Sequence, residues 1–379
     1  MFKELPLLKE EKKNITLFYP HYPKNYLEAL KKIFQTRWIG QGPLVDKLEV
    51  IFEKKFTNNF PCIAVGSGTD ALHLAYILAD IKKDDEVICP VFTCTATNIP
   101  LLYLEAKIKF ADIDPDTMNI NTEHVKKLIT KKTKAIVFVN YGGLPCNLEE
   151  LNIIAKKNKI KLIQDAAHSL GATYKNKKIT SFADFTIFSF QAIKQITCGD
   201  GGMLVLKNKK LLDKAKRIRW FGIDRKAKQG GTWKNDIKEV GYKYQMTDIG
   251  ASLLIESIKE FKNIFSLRSK IFNTYKNILK KNKNVKIVND NSQSKHACWL
   301  FTIIIKKKDY LQKKLRNFGI ETNQVHFRND KYSIFKNFAK GKKFKYMDLI
   351  ENKYLVLPIH TKMMIKDAEK IGNIINKLI

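Results

Sequence analysis

Residues 62–79 read CIAVGSGTDALHLAYILA. The first four are apolar and end at a glycine, as a short buried strand would. The apolar positions Ala71, Leu72, Leu74, Ala75 and Leu78 then recur at helical spacing. A strand that passes through a Gly-Ser-Gly-Thr turn into a helix leaves the helix's first N–H groups without intrahelical partners, and such a terminus binds anions. The same Ser, Gly and Thr could simply cap a helix, so both readings stay open at this point.

Working outward, residues 61–207 alternate short β-branched runs with amphipathic stretches, the pattern of strands and helices in a mainly parallel sheet. The runs are CIAV from Cys62, EVICP from Glu86, KIKFADI from Lys107, KAIVFVNY from Lys134, IKLIQDA from Ile160, ADFTIFSF from Ala183 and MLVLK from Met203. They predict an α/β fold with seven strands flanked by helices. A long helix is expected over about 246–282, with apolar residues at Ile249, Leu253, Ile258, Phe261, Phe265, Ile271, Tyr275 and Leu279. It reads as a connector into a smaller C-terminal α+β domain holding a strand-like WLFTIII run, the helical DYLQKKLRNFG and a last helix after Pro358. The expected division is a large domain over 1–250, including an N-terminal arm, and a smaller one over 251–379. No internal repeat or low-complexity linker interrupts this order.

A chain of 379 residues, 44% hydrophobic, can bury a large core. Its opening residues, MFKELPLLKEEKKN, lack the apolar stretch of a signal peptide. No run reaches the roughly 18 apolar residues of a membrane span, so a cytoplasmic protein with no membrane partner is expected. Six cysteines, Cys62, Cys89, Cys94, Cys146, Cys198 and Cys298, show neither CxxC pairs nor disulfide-framework spacing, which favours reduced and mostly buried thiols. No metal site is expected.

The net charge of +32 first suggests nucleic acid or an anionic surface. Only seven of the 69 basic residues are Arg, however, and the Lys are scattered among Asn and Ile. Arg reads base edges and grips phosphate bidentately, so this excess fits a drifted, lysine-biased composition better than a nucleic-acid face.

Two further segments carry chemistry. Asp165 stands at the carboxyl end of an apolar strand, where open α/β sheets bind ligands. A buried carboxylate needs a cationic partner; a protonated pyridine nitrogen would serve, and a helix cap for AAHSLGA is the competing use. Farther on, SFQAIKQITCGDGG from Ser189 puts Lys194 in a loop between two apolar strands, ahead of Gly199, Gly201 and Gly202. If partly desolvated, its amine becomes a nucleophile towards an aldehyde, although most lysines are solvated surface residues.

Phosphate turn, strand-end acid and glycine-flanked lysine follow in one order, and the chain resembles the DegT-like sugar aminotransferases of the fold-type I pyridoxal-phosphate enzymes. The resemblance runs from RWIGQGPLVDKLEVIFEKKF through SGTDALHLA, DEVICPVFTCTATN, FADIDPDTMNI, QDAAHSLGA and SFQAIKQITCGDGG to GYKYQMTDIGA. It implies pyridoxal 5'-phosphate as cofactor, with Lys194 as the Schiff-base lysine and proton carrier. It implies that Asp165 partners the pyridine nitrogen and that His168 lies beside the phenolic oxygen. Ser189 and the backbone of Gly68 and Thr69 match the phosphate cradle.

Two positions depart from the family's pattern. Cys94 stands where an aromatic side chain usually stacks on the pyridine ring, and Lys243 where many members place an Asn that reaches the neighbouring subunit's phosphate. His326, Arg225 and Arg328 resemble positions near a sugar nucleotide, while surface solvation or structural pairing is an equal reading for the two arginines. The resemblance also implies a homodimer with shared sites, glutamate as amino donor and a nucleotide-linked keto sugar as acceptor, in surface-glycan or related amino-sugar biosynthesis. A dehydratase branch of the family has His in place of the lysine, which Lys194 argues against. The alternative from another class is a basic, non-catalytic nucleic-acid-binding regulator, which predicts strongly salt-dependent binding.

Overall fold

The structure, a computed structural model, describes residues 5–234, 236–288 and 293–379. The seven expected runs form one sheet: β1 (Cys62–Val65), β2 (Glu86–Pro90), β3 (Lys107–Ala111), β4 (Thr133–Val139), β5 (Lys161–Asp165), β6 (Phe185–Ser189) and β7 (Gly202–Leu206). Their order is β1-β7-β6-β5-β4-β2-β3. The strands from β3 to β6 pair in parallel, and β7 runs antiparallel to both β6 and β1.

Strand alternation divides the core between the two faces. Ile63, Val65, Val87, Val137, Ile163, Ile187 and Leu204 pack on one side. Ala64, Ile88, Ile136, Phe138, Leu162, Phe188 and Val205 pack on the other. A parallel sheet covered on both faces needs this near-continuous apolar content. Polar side chains just beyond β3 and β4 tie neighbouring segments to the sheet. The Asp112 carboxylate accepts the Tyr346 and Met347 N–H groups at 2.8 and 3.0 Å. Asn140 accepts the Cys146 N–H at 3.0 Å and donates to the Ser169 hydroxyl at 3.0 Å.

Five helices matter for the site: α1 (Pro43–Phe56), α2 (Gly68–Leu78), α3 (Thr95–Tyr103), α4 (Asp248–Leu279) and α5 (Ile365–Leu378). Thr247 caps α4 by accepting the Gly250 N–H at 3.1 Å. The buried Asp248 carboxylate takes the N–H groups of Gly42, Leu44 and Val45 at 2.8, 3.1 and 3.1 Å, closing the start of α1. The far half of α4 contributes Ile271, Phe272, Tyr275 and Leu279 to a third apolar cluster. That cluster also holds Phe301, Ile303, Leu355, Leu357, Ile371 and Ile375. Here an antiparallel sheet runs in the order β8 (Lys286–Ile287), β9 (Phe301–Ile304), β10 (Tyr354–Leu357).

Strand β9 begins two residues later than the WLFTIII run. Cys298 takes φ +53°, and the Trp299 and Leu300 N–H groups both donate to the Gly142 carbonyl at 3.1 and 2.9 Å, which turns Trp299 out of the strand. Among the described residues no helix is long and apolar enough to cross a membrane. Among the described residues no cysteine is in a disulfide; five of the six are buried and Cys94 is half-buried.

Candidate active site

The carboxyl ends of β1, β5 and β6 face the amino ends of α2 and α3. On α2, Ser67 does cap the helix, its hydroxyl accepting the Asp70 N–H at 3.0 Å. The N–H groups of Gly68 and Thr69 remain at the first turn, where no intrahelical acceptor exists. The cradle is tight. A Cβ on Gly68 would lie 3.0 Å from the Ser189 Cβ, and one on Gly202 would lie 2.2 Å from the Ser67 carbonyl oxygen. Ser189 and Gly68 therefore meet at the turn that Thr69 continues, with Gly202 as the residue that lets β7 pass beneath it. Gly202→Ala is expected to cost about 1–3 kcal/mol of stability and to weaken phosphate retention, checked by thermal unfolding and by cofactor titration. Unchanged behaviour in both measurements would contradict this packing.

Asp165 ends β5 almost fully buried. One carboxylate oxygen accepts the Thr97 hydroxyl at 2.8 Å and the other the Ala167 N–H at 3.0 Å. Thr97 in turn bonds the Thr93 hydroxyl at 2.8 Å. Residues 166–171 make turns rather than a helix, so the capping use is confined to the Ala167 contact. Burial pushes the Asp165 carboxyl above its ordinary range, with Ala167, Thr97 and the Lys194 amine acting the other way. Such a carboxylate gains from a further cationic partner.

Lys194 sits in the turn after β6. Its Nζ lies 4.0 Å from the centre of the Trp299 ring. Burial of the amine lowers it to about 8, against the opposing pull of Asp165 and then Cys94. His168 is buried and stacks on Trp299 at 3.9 Å between ring centres, and its Nε2 lies 3.3 Å from the Nε2 of His326. Burial first, then the nearby Lys194, holds both imidazoles neutral, His326 at about 3. The His168 Nδ1 has no hydrogen-bond partner although it is buried. A buried amine, a buried acid, an orphaned imidazole nitrogen and the open amino end of α2 stand at the carboxyl ends of these strands.

The remaining sequence candidates separate. Cys94 occupies the position before α3 and is half-buried near the Lys194 amine. His326 joins the site directly, its carbonyl oxygen held by the Tyr354 hydroxyl. Arg328 is buried and fully engaged: it meets both Asp330 oxygens at 2.7 Å, Asp348 at 2.6 Å and Glu351 at 2.9 Å. These carboxylates raise its guanidinium further, which favours structural pairing over substrate contact. Arg328→Leu is expected to lower stability by about 3–5 kcal/mol, because three carboxylates lose their cation. Chemical denaturation checks it; an unchanged midpoint with a raised substrate KM would instead restore the substrate role.

Arg225 donates to the Gln41 carbonyl and stands over Trp220 at 5.5 Å, lining a second cavity of about 800 Å³ with Trp38 and Arg219. Lys243 is exposed and lies over the Phe221 ring at 5.2 Å. Neither contact is to the Lys194 rim of the same chain.

With this geometry in hand, residues 21–376 match the DegT/DnrJ/EryC1/StrS aminotransferase family. The chain belongs to this family. Aminotransferases of this family are pyridoxal-phosphate enzymes, and the site fits that cofactor: the cradle is closed to a Cβ, Asp165 lacks a cation of its own apart from Lys194, and the His168 Nδ1 is unpaired. The aminotransferase is 34% identical over 378 residues to an uncharacterised protein of Methanocaldococcus jannaschii, with 96% of this chain and 97% of that one covered. It is 31% identical to the UDP-4-amino-4,6-dideoxy-N-acetyl-beta-L-altrosamine transaminase of Campylobacter jejuni, with 94% and 95% covered. Its fold superposes on AtS13 from Actinomadura melliaura with a TM-score of 0.92 at 26% identity, covering 97% of this chain and 100% of that one.

Sequence reasoning missed Thr97, Trp299 and Arg268. Thr97 lies in the TCTATN stretch quoted for Cys94, and its hydroxyl, three residues on, was the available signal. Trp299 opens the WLFTIII run, whose pattern predicts a strand from its first residue. Arg268, one of seven arginines in a lysine-rich chain, is buried in α4 and donates to the Cys298 and Trp299 carbonyls at 3.1 and 2.9 Å.

Proposed function

We propose that the aminotransferase moves an amino group from glutamate to a keto sugar carried on a nucleotide. The amino sugar formed would feed surface-glycan or related amino-sugar biosynthesis. The observation that carries the reading is the Lys194 amine, lowered to about 8, beside the buried Asp165 carboxylate on the rim of the α2 anion turn. The substrate class follows the activity for which the Campylobacter jejuni relative is named.

Bound pyridoxal phosphate would supply an electron sink at the substrate carbon. In this reading Gly68, Thr69 and Ser189 hold the phosphate. Asp165 keeps the pyridine nitrogen protonated, and His168 donates from Nδ1 to the phenolic oxygen. Lys194 anchors the cofactor and, once displaced, moves a proton between the substrate carbon and the cofactor carbon. Cys94 borders the ring in place of an aromatic residue, which leaves a smaller stacking surface. His326 presents a neutral acceptor to a sugar hydroxyl.

The deciding experiment mixes the amino-loaded enzyme with a panel of keto sugar nucleotides and follows loss of the bound amino group for each. Discharge by one nucleotide and hexose is the expected result; no discharge by any of them, with rapid discharge by simple keto acids, would overturn the substrate class.

The reading includes a cytoplasmic homodimer with a large domain over 1–250 and a smaller one over 251–379. The exposed Lys243, which lies over the Phe221 ring, would then contact the neighbouring subunit's phosphate as a point charge. Mixing Lys194→Ala with Lys243→Ala subunits should yield hybrids with one intact site and part of the activity restored. Verified hybrids that stay inactive would place Lys243 outside the shared site.

A further inference from the structure

The Lys194 amine has a prepared resting place in the fold. Its Nζ lies 4.0 Å from the centre of the Trp299 ring, within the range of an ammonium held on an aromatic face. The same indole reaches the chain that carries the lysine, its Nε1 donating to the Ile193 carbonyl at 2.9 Å. On the other side of Lys194, the Gln195 side chain donates to the His168 carbonyl at 2.7 Å, and His168 stacks on Trp299. Trp299 is itself fixed from behind: Arg268 holds its carbonyl and that of Cys298, and Gly142 takes its N–H. A ring that is almost fully buried and tied at its main chain, its indole N–H and its face is a poor candidate for mere filling.

We propose that Trp299 is the resting surface of the Lys194 ammonium whenever that amine is not covalently engaged, and that its indole N–H aims the lysine turn. This rests on the proposed role of Lys194. During transamination the lysine is released from the cofactor and must stay close, in a fixed direction and able to carry a proton. A ring face meets those needs without adding a second negative charge to that of Asp165. The groups around the amine are consistent with this division: Asp165 and Cys94 favour its charged form, while His168 and His326 stay neutral and add no charge.

The sign of the effect follows. The ring face stabilises the ammonium, so replacing it with an apolar side chain that keeps the amine buried lowers the pH at which it gives up its proton. Competitive acylation of the cofactor-free protein with a trace amine reagent, read for the Lys194 peptide by mass spectrometry across pH, measures that midpoint directly. Trp299→Leu should bring it down by about one unit. Trp299→Phe keeps a weaker face but loses the Nε1 donor, so its midpoint should fall less while attachment of added pyridoxal phosphate slows by about tenfold.

An unchanged or raised midpoint in either variant, with altered thermal stability, would reduce Trp299 to a packing residue and overturn the proposal. If Trp299→Leu does not fold, the Phe variant alone carries the same sign. Borohydride reduction of the wild-type holoenzyme separates the two levels: cofactor fixed on another lysine defeats the role of Lys194, whereas the acylation midpoint tests its contact with Trp299 independently.

Discussion

Lys194→Ala is expected to lower turnover by roughly 10^4-fold, because the variant loses both the covalent anchor and the proton carrier. The rim should survive the change. Lys194 lies in a turn whose neighbours are held by other contacts, Ile193 to Trp299 and Gln195 to the His168 carbonyl. Borohydride should fix pyridoxal phosphate to the wild-type Lys194 peptide and to none in the variant. The amine's reactivity in the cofactor-free protein should rise through about pH 8, well below the range of a solvated lysine. Burial is the main cause, so the sign is fixed: above that pH the unprotonated, nucleophilic form dominates. A reduced cofactor on another lysine, or a variant retaining a tenth of its activity, would remove Lys194 from the reaction.

The second large effect belongs to Asp165. Asp165→Asn keeps an acceptor for the Ala167 N–H and a polar partner for the Thr97 hydroxyl, so the fold and part of the cofactor affinity should remain. What is lost is the negative charge that favours a protonated pyridine nitrogen, and with it the stabilisation of a developing carbanion. The expected fall in single-turnover rate is on the order of 10^3-fold, equivalent to about 4 kcal/mol in the barrier. Near-normal amination by the Asn variant would refute the role. A related but smaller effect is expected at Thr97, where loss of one hydroxyl donor leaves the carboxylate with a single hydrogen bond from Ala167.

The central sheet was legible because each strand is a β-branched or apolar run bounded by polar or glycine residues, and a sheet buried on both faces has few other ways to be written. The cradle and Asp165 were legible for the same reason, since both stand where such strands end. Lys194 was marked by its glycines. What could not be read was pairing across long distances in the chain. Trp299 meets Lys194 from 105 positions away, and nothing in WLFTIII distinguishes a strand residue from one turned out by the Cys298 backbone. Arg328 and Arg225 look alike in sequence, yet one is enclosed by three carboxylates and the other lines a separate cavity. Such differences arise from tertiary neighbours rather than from local pattern.

The placement of α4 has a dynamic consequence. One continuous helix of 32 residues is tied to the Gly42–Val45 amides at its start, to the Cys298 and Trp299 carbonyls at Arg268, and to the C-terminal apolar cluster at its end. A rod anchored at three places transmits local loosening along its length, because freeing the ring beneath Lys194 strips a buried guanidinium of both acceptors. Amide hydrogen exchange around Trp299 should therefore proceed at nearly the slow rate of the middle of α4, with opening free energy close to that of global unfolding. The lysine turn would be quiet on that timescale, and the motions that admit and release substrate would be left to segments that α4 does not anchor.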